Sequence, residues 1–173
     1  MVPSRQQALL DKVGLDGVIT VSPQNVTYSA QFKIPSHGVV VDRLAFSVVT
    51  KQKSYLILAN MEESTAKKYA KVDEVVAYRE FQEPATDKLA KLLLDLGLSK
   101  VGIEQRAISA YDFQALQGHL GKKVRLEDCT PRGQKGHAAP ADRHHLDFAR
   151  HRQLVHRPSD QEKWDFHFHQ VHL

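Results

Sequence analysis

The chain is poor in the residues that staple small proteins. Among 173 residues there is one cysteine, Cys129, and one tryptophan. A lone thiol excludes an internal disulfide framework and any cysteine-rich zinc site. Nothing around Cys129 signals activation, so it reads as packing rather than as a nucleophile. No stretch approaches the roughly 18 apolar residues that a membrane span needs. The opening MVPSRQQALLDKVG lacks the basic-then-apolar order of a signal peptide. These absences predict a soluble, cytoplasmic protein without a membrane partner, in which the sequon Asn25-Val26-Thr27 carries no glycan. There is no GxGxxG, no P-loop, no HExxH and no GxSxG elbow.

Charge of one sign is also missing. The net charge is +4, from 24 Lys and Arg against 20 Asp and Glu. Up to Asp128 there are 17 basic and 15 acidic residues, and after it 7 and 5. A nucleic-acid binder gathers its positive charge on one face or in one run. Here the signs alternate, and no nucleic-acid partner is expected.

Apolar residues are plentiful in one part only. Residues 1–128 hold 41 of Val, Ile, Leu, Met and Phe, whereas residues 129–173 hold 8 in 45. The second part also holds 8 of the 10 histidines. The break falls near Thr130-Pro131-Arg132-Gly133. It predicts a domain over 1–128 and a poorly structured, His-rich tail over 129–173 that adds little to a core.

The first part alternates between two periods. SRQQALLDKVG reads as a helix that Ser4 caps and Gly14 stops. GVITV is a continuous apolar run, as in a strand buried on both faces. LAFSVVT and SYLIL flank Lys51-Gln52-Lys53 as a hairpin. Asn60 with Glu63 resembles a capping box opening a helix to Tyr69. DEVVAY is a strand, and PATDKLAKLLLDLG a helix with Leu89, Leu92, Leu93 and Leu96 on one face and Gly97 as terminator. KVGIE is a strand, SAYDFQALQGHLG a helix capped by Ser109, and KVRLED a last strand. The alternation predicts an α/β fold of three layers, a mixed sheet of about six strands flanked by helices.

The order of these pieces resembles the opening domain of the creatinase/prolidase family of Xaa-Pro dipeptidases, aminopeptidases P and creatinases. The resemblance rests on Arg5, Gly14-Leu15-Asp16, an apolar strand, and Ser22-Pro23-Gln24-Asn25-Val26-Thr27-Tyr28. EVVAYRE, then LAKLLLDLGLSKVGIEQRAISAYDFQALQ and LED, follow the same order, with Val101-Gly102-Ile103-Glu104 ahead of a Ser-capped helix the most specific piece. It spans about residues 5–128. One departure is Gln31, where the family usually has a glycine that permits positive φ.

The resemblance implies a ribonuclease-H-like fold in which this domain carries no chemistry. In the family a second, "pita-bread" domain does, most often with two divalent metals such as Mn or Zn held by two Asp, one His and two Glu. The first domain helps make a homodimer and forms part of the rim over the partner's active site. No metal-ligand segments follow Asp128 here. The chain is therefore expected to be inactive alone as an Xaa-Pro peptidase, or to act with the catalytic domain of a full-length relative. The alternatives are a stand-alone protein-binding module of the same fold and a weak metal binder through its tail. A shifted reading frame after residue 128 would produce such a tail, and the DNA read in all three frames decides it.

Candidate residues follow. No catalytic group and no metal site are expected in residues 1–128. His37 and Arg43 are the candidates for contact with substrate at the rim. His167, His169 and His172 stand close together after WDF; if Phe166 to His172 were a strand, His167 and His169 would share a face and could hold Zn²⁺ or Ni²⁺. Glu104 ends a strand and reads as a structural acceptor, with the helix start at Ser109 as the expected donor. Asn25 and Tyr28 read as loop formers, so that SPQNVTY closes a turn between strand and helix.

Overall fold

The computed structural model describes Leu10, residues 14–40 and residues 43–129. Six strands carry the fold: β1 Gly17–Thr20, β2 Phe46–Thr50, β3 Ser54–Ala59, β4 Glu74–Tyr78, β5 Lys100–Ile103 and β6 Arg125–Asp128. Four helices stand between them: α1 Pro23–Ala30, α2 Glu63–Tyr69, α3 Ala85–Asp95 and α4 Ala110–Leu120. The strands form one mixed sheet in the order β4-β3-β2-β1-β5-β6. β2 is antiparallel to both β1 and β3, and every other pairing is parallel.

Burial explains the unbroken apolar runs. Every residue of β1 and β2 is buried, and alternate residues serve opposite layers. Ile19, Phe46, Ile57 and Ile103 pack with Leu89 and Leu93 of α3 and Leu116 and Leu120 of α4. Leu56 and Leu58 point the other way, to Val26 and Ala30 of α1 and Ala66 of α2. The result is the expected three-layer α/β sandwich. Truncating a fully buried Leu in such a core, Leu89 for example, typically costs about 2–5 kcal/mol.

Local signals hold where they concern stops and turns. Gly97 terminates α3 at φ +63°, with Leu98 N–H returning to the Leu93 carbonyl at 3.3 Å. Gly14 has φ +64°, and the Leu15 N–H reaches the Leu10 carbonyl at 3.1 Å. Ser109 Oγ accepts the Asp112 N–H at 3.0 Å, as a capping residue should. The Thr50 hydroxyl ties the β2–β3 hairpin by accepting the Gln52 and Lys53 amides at 3.2 and 3.0 Å.

Two expectations give way to tertiary context. SPQNVTY is no turn: the chain turns at Val21-Ser22 alone, and Pro23–Ala30 is a helix. Proline at the first helical position has φ preset and lacks an N–H that would go unpaired. Only Val26 and Ala30 of this helix are buried, too few to show a period. Asn60 caps nothing. It opens a 3₁₀ turn, Asn60–Glu62, and its Oδ1 faces the Glu80 N–H at 3.5 Å. Gln31 takes the left-handed conformation at φ 48°, ψ 34°, so the turn after α1 keeps the geometry a glycine would favour.

Candidate functional site

Because β1, β3, β4, β5 and β6 run in one direction, their carboxyl ends gather along one edge of the sheet. β2 contributes its amino end there. The chain builds β2, β3 and β4 outward on one side of β1, then returns to place β5 on the other. In open α/β sheets the crevice at such a reversal is where ligands bind, often an anion at a helix N-terminus.

Here that crevice holds the protein's own carboxylate. Glu104, at the end of β5, is 4% exposed. Its Oε2 accepts the Val21 and Ser22 backbone N–H groups at 2.7 and 2.9 Å and the Ser22 hydroxyl at 3.1 Å. Its Oε1 accepts the Asn25 side-chain amide. The negative charge therefore lies at the entry to α1, where the helix dipole and the unpaired first-turn amides favour it. Ser22 and Asn25 are donors to Glu104, and Asn25 does not form a loop with its own backbone. The structural reading of Glu104 stands, but its donors are those of β1 and α1 rather than those at Ser109.

The segment between α1 and β2 is strapped along the same edge. Ser36 N–H donates to Glu62 Oε1 at 3.0 Å. His37, half-buried, bonds the Val21 carbonyl. Burial pushes its imidazole below the ordinary 6.5, while that bond and the charge of Glu62 act against the shift. Gly38 has φ +80°, and a Cβ there would stand 2.7 Å from Pro23 Cγ, so glycine is required. At the far end Arg43 grips Glu80 with two parallel bonds, Nε to Oε1 at 2.6 Å and Nη2 to Oε2 at 2.8 Å. Both side chains are largely buried, at 13% and 16% exposure. Next to them the Tyr78 hydroxyl donates to the Leu44 carbonyl at 2.8 Å. Burial, then the charge of Glu80, pushes this phenol up to about 12.

Thus His37 and Arg43 both lie on the carboxyl edge. Arg43 is committed to Glu80, and His37 is held by the backbone of β1's end. What sequence reading missed is Glu62 and Glu80, the carboxylates that hold the segment. Neither shows a signal in sequence, because their partners lie 26 and 37 residues away. At the opposite edge an open hollow of about 570 Å³ is lined by Asp16, Lys51, Tyr55 and Ser99 among others. His167, His169 and His172 lie outside the described residues. Among the described residues no three His, Cys, Asp or Glu side chains are placed to hold a metal ion. Nor is any helix among them long and apolar enough to cross a membrane.

The profile of the Creatinase/Prolidase N-terminal domain matches residues 4–134. The chain belongs to the creatinase/prolidase N-terminal domain family. The match covers the whole described sheet, so the ordered pieces of sequence and the fold lead to the same family. A proline dipeptidase structure from Streptococcus agalactiae 2603V is similar at 26% identity and TM-score 0.60, over 73% of this chain and 91% of that one. The Creatinase/Prolidase N-terminal domain of an X-Pro dipeptidase from Streptococcus pyogenes superposes at TM-score 0.59 with 18% identity, over 72% and 95%. The Xaa-Pro dipeptidase from Bacillus anthracis is similar at 20% identity and TM-score 0.58, over 72% of this chain and 32% of that one. The chain thus matches about a third of that longer relative. No curated protein matches in sequence.

Proposed function

We propose that this chain is a non-catalytic creatinase/prolidase N-terminal domain that forms a homodimer and contributes part of the rim of an active site. Hydrolysis of Xaa-Pro bonds, and the two divalent metals that serve it, would belong to a separate metal-binding domain. The observation that carries this reading is the plugged crevice. At the reversal of strand order, Glu104 fills the position a ligand would take, and all its donors belong to the scaffold. What remains for contact is the strap on the carboxyl edge, with His37 as a titratable group on it. We place the chain in the cytoplasm, where a single half-buried thiol needs no partner.

The test is an assay of the purified chain on Xaa-Pro dipeptides with Mn²⁺, alone and with the metal domain of a relative added. The chain alone should not turn over substrate. Adding it to the metal domain should change KM or kcat, and His37→Ala should weaken that effect. Turnover by the chain alone overturns the reading.

A further inference from the structure

The hollow of about 570 Å³ at the amino edge of the sheet lies where the β2–β3 hairpin faces the turn after α3. It has the size of a small-ligand pocket, in which a few polar groups converge beside an apolar wall. Leu96 and Leu98 supply the wall, and both pack against the main core. Lys51, Gln52, Lys53 and Tyr55 bring polar groups to it.

Tyr55 is the residue that points to a ligand. It belongs to the core, is only 4% exposed, and lines the hollow. Its hydroxyl has no hydrogen-bond partner among the described residues. A polar group set this deep is normally paired, with protein or with whatever occupies the space beside it. Tyr78, buried to the same degree, follows that rule by donating to the Leu44 carbonyl at 2.8 Å. Burial first, then the charges of Glu74 and Asp73, raises the Tyr55 phenol above the ordinary 10. It therefore keeps its proton and is a donor.

The charges select what it donates to. Thr50 Oγ1 donates to the Lys53 carbonyl at 2.9 Å and accepts the Gln52 and Lys53 amides, which fixes the hairpin beside the hollow. Lys51 acts on Asp16, and their two charges offset one another. Asp16 is further occupied, because its Oδ2 accepts the Ser99 hydroxyl and the Ser99 and Lys100 amides. Lys53 pairs with no acid among the described residues. The lining is thus left with one unbalanced positive charge. A monoanion with an apolar body matches it. A second negative charge would meet the Asp16 carboxylate and the carbonyl end of α3 with nothing to offset it.

We infer that this hollow binds a small monocarboxylate, its oxygens on the Tyr55 hydroxyl and the Lys53 ammonium and its alkyl group on Leu96 and Leu98. The site lies on the edge opposite the strap, so it is judged apart from the dimer and rim readings. The test is an NMR titration of the full chain with butyrate and, separately, with inorganic phosphate. Butyrate should bind saturably, with a dissociation constant of about a millimolar, and shift the amides of Gln52, Lys53, Leu98 and Ser99. Inorganic phosphate should bind at least about tenfold more weakly. Tyr55→Phe and Lys53→Gln should each weaken butyrate about tenfold, whereas Lys33→Gln, on the segment after α1, should leave it unchanged. Tyr55→Phe should melt no lower than wild type, because the hydroxyl it removes has no protein partner to lose. A clear fall in its melting temperature reveals a partner inside the fold and overturns the inference. Butyrate shifts that do not saturate, or binding that both variants retain, overturn it as well. Phosphate that binds as tightly as butyrate overturns the choice of a monocarboxylate.

Discussion

The carboxylate of Glu104 accepts the backbone N–H of Val21 at 2.7 Å, across 83 residues of chain. This bond joins the end of β5 to the end of β1 and sets where α1 starts. Replacing Glu104 with Ala strands two backbone donors and the Asn25 amide in a buried place. Each such orphan costs about 1–3 kcal/mol, so the variant should lose about 3 kcal/mol or more of stability. Glu104→Gln keeps one acceptor and should lose roughly half of that. Urea unfolding measures both. A Glu104→Ala chain as stable as wild type would remove the plug argument.

Gln31 sits at φ 48° at the end of α1. Gln31→Gly should relieve the left-handed penalty, about 1 kcal/mol, less the extra entropy glycine adds to the unfolded chain. The melting temperature should rise by a few degrees or stay level. Gln31→Val should fall clearly, because a β-branched residue resists this region. A rise for valine would contradict the account.

Asp16 gives an acid limb to stability. Its carboxylate accepts the Ser99 hydroxyl at 2.8 Å and the Ser99 and Lys100 amides at 2.9 Å each. The Ser99 hydroxyl first, then the two amides, hold it below the ordinary 3.8, helped by Lys51. A lowered folded value stabilises the fold above the unfolded pKa, and the contribution is lost as pH falls through the folded value. Stability should therefore decline below about pH 4. Asp16→Asn should be weaker at pH 7 and show a shallower decline. Stability profiles by denaturant at several pH values compare the two slopes.

Cys129 should be inert in the folded chain. Burial first, and the carboxylates of Glu104 and Asp128 next, push its thiol up to about 12. Its Cβ and Sγ also crowd Gly102, lying 3.2 and 3.3 Å from where a Cβ would stand there. A disulfide reagent at pH 8 should label it only as fast as the protein opens, and at the free-thiol rate in denaturant. Fast labelling of the native chain would contradict the packing.

The sequence by itself determined the elements whose causes are local. Gly97 stops a helix because it alone tolerates the reversal at low cost, and Ser109 starts one because its hydroxyl reaches three residues on. The run GVITV announces a strand covered on both faces, since no charged residue interrupts it. With these in order, the three-layer fold and the family were legible before any coordinate. What only tertiary structure decided depends on neighbours distant in sequence. The eight-residue α1 buries two side chains and starts where a carboxylate from β5 receives it, so no periodicity within it could have shown a helix. The site's three carboxylates, Glu62, Glu80 and Glu104, each act on a partner at least 26 residues away, brought close when β5 pairs beside β1 and β4 takes the far edge. Local propensity is written in neighbouring residues, whereas a sheet edge is assembled from strand ends, and their order appears only when the sheet has formed.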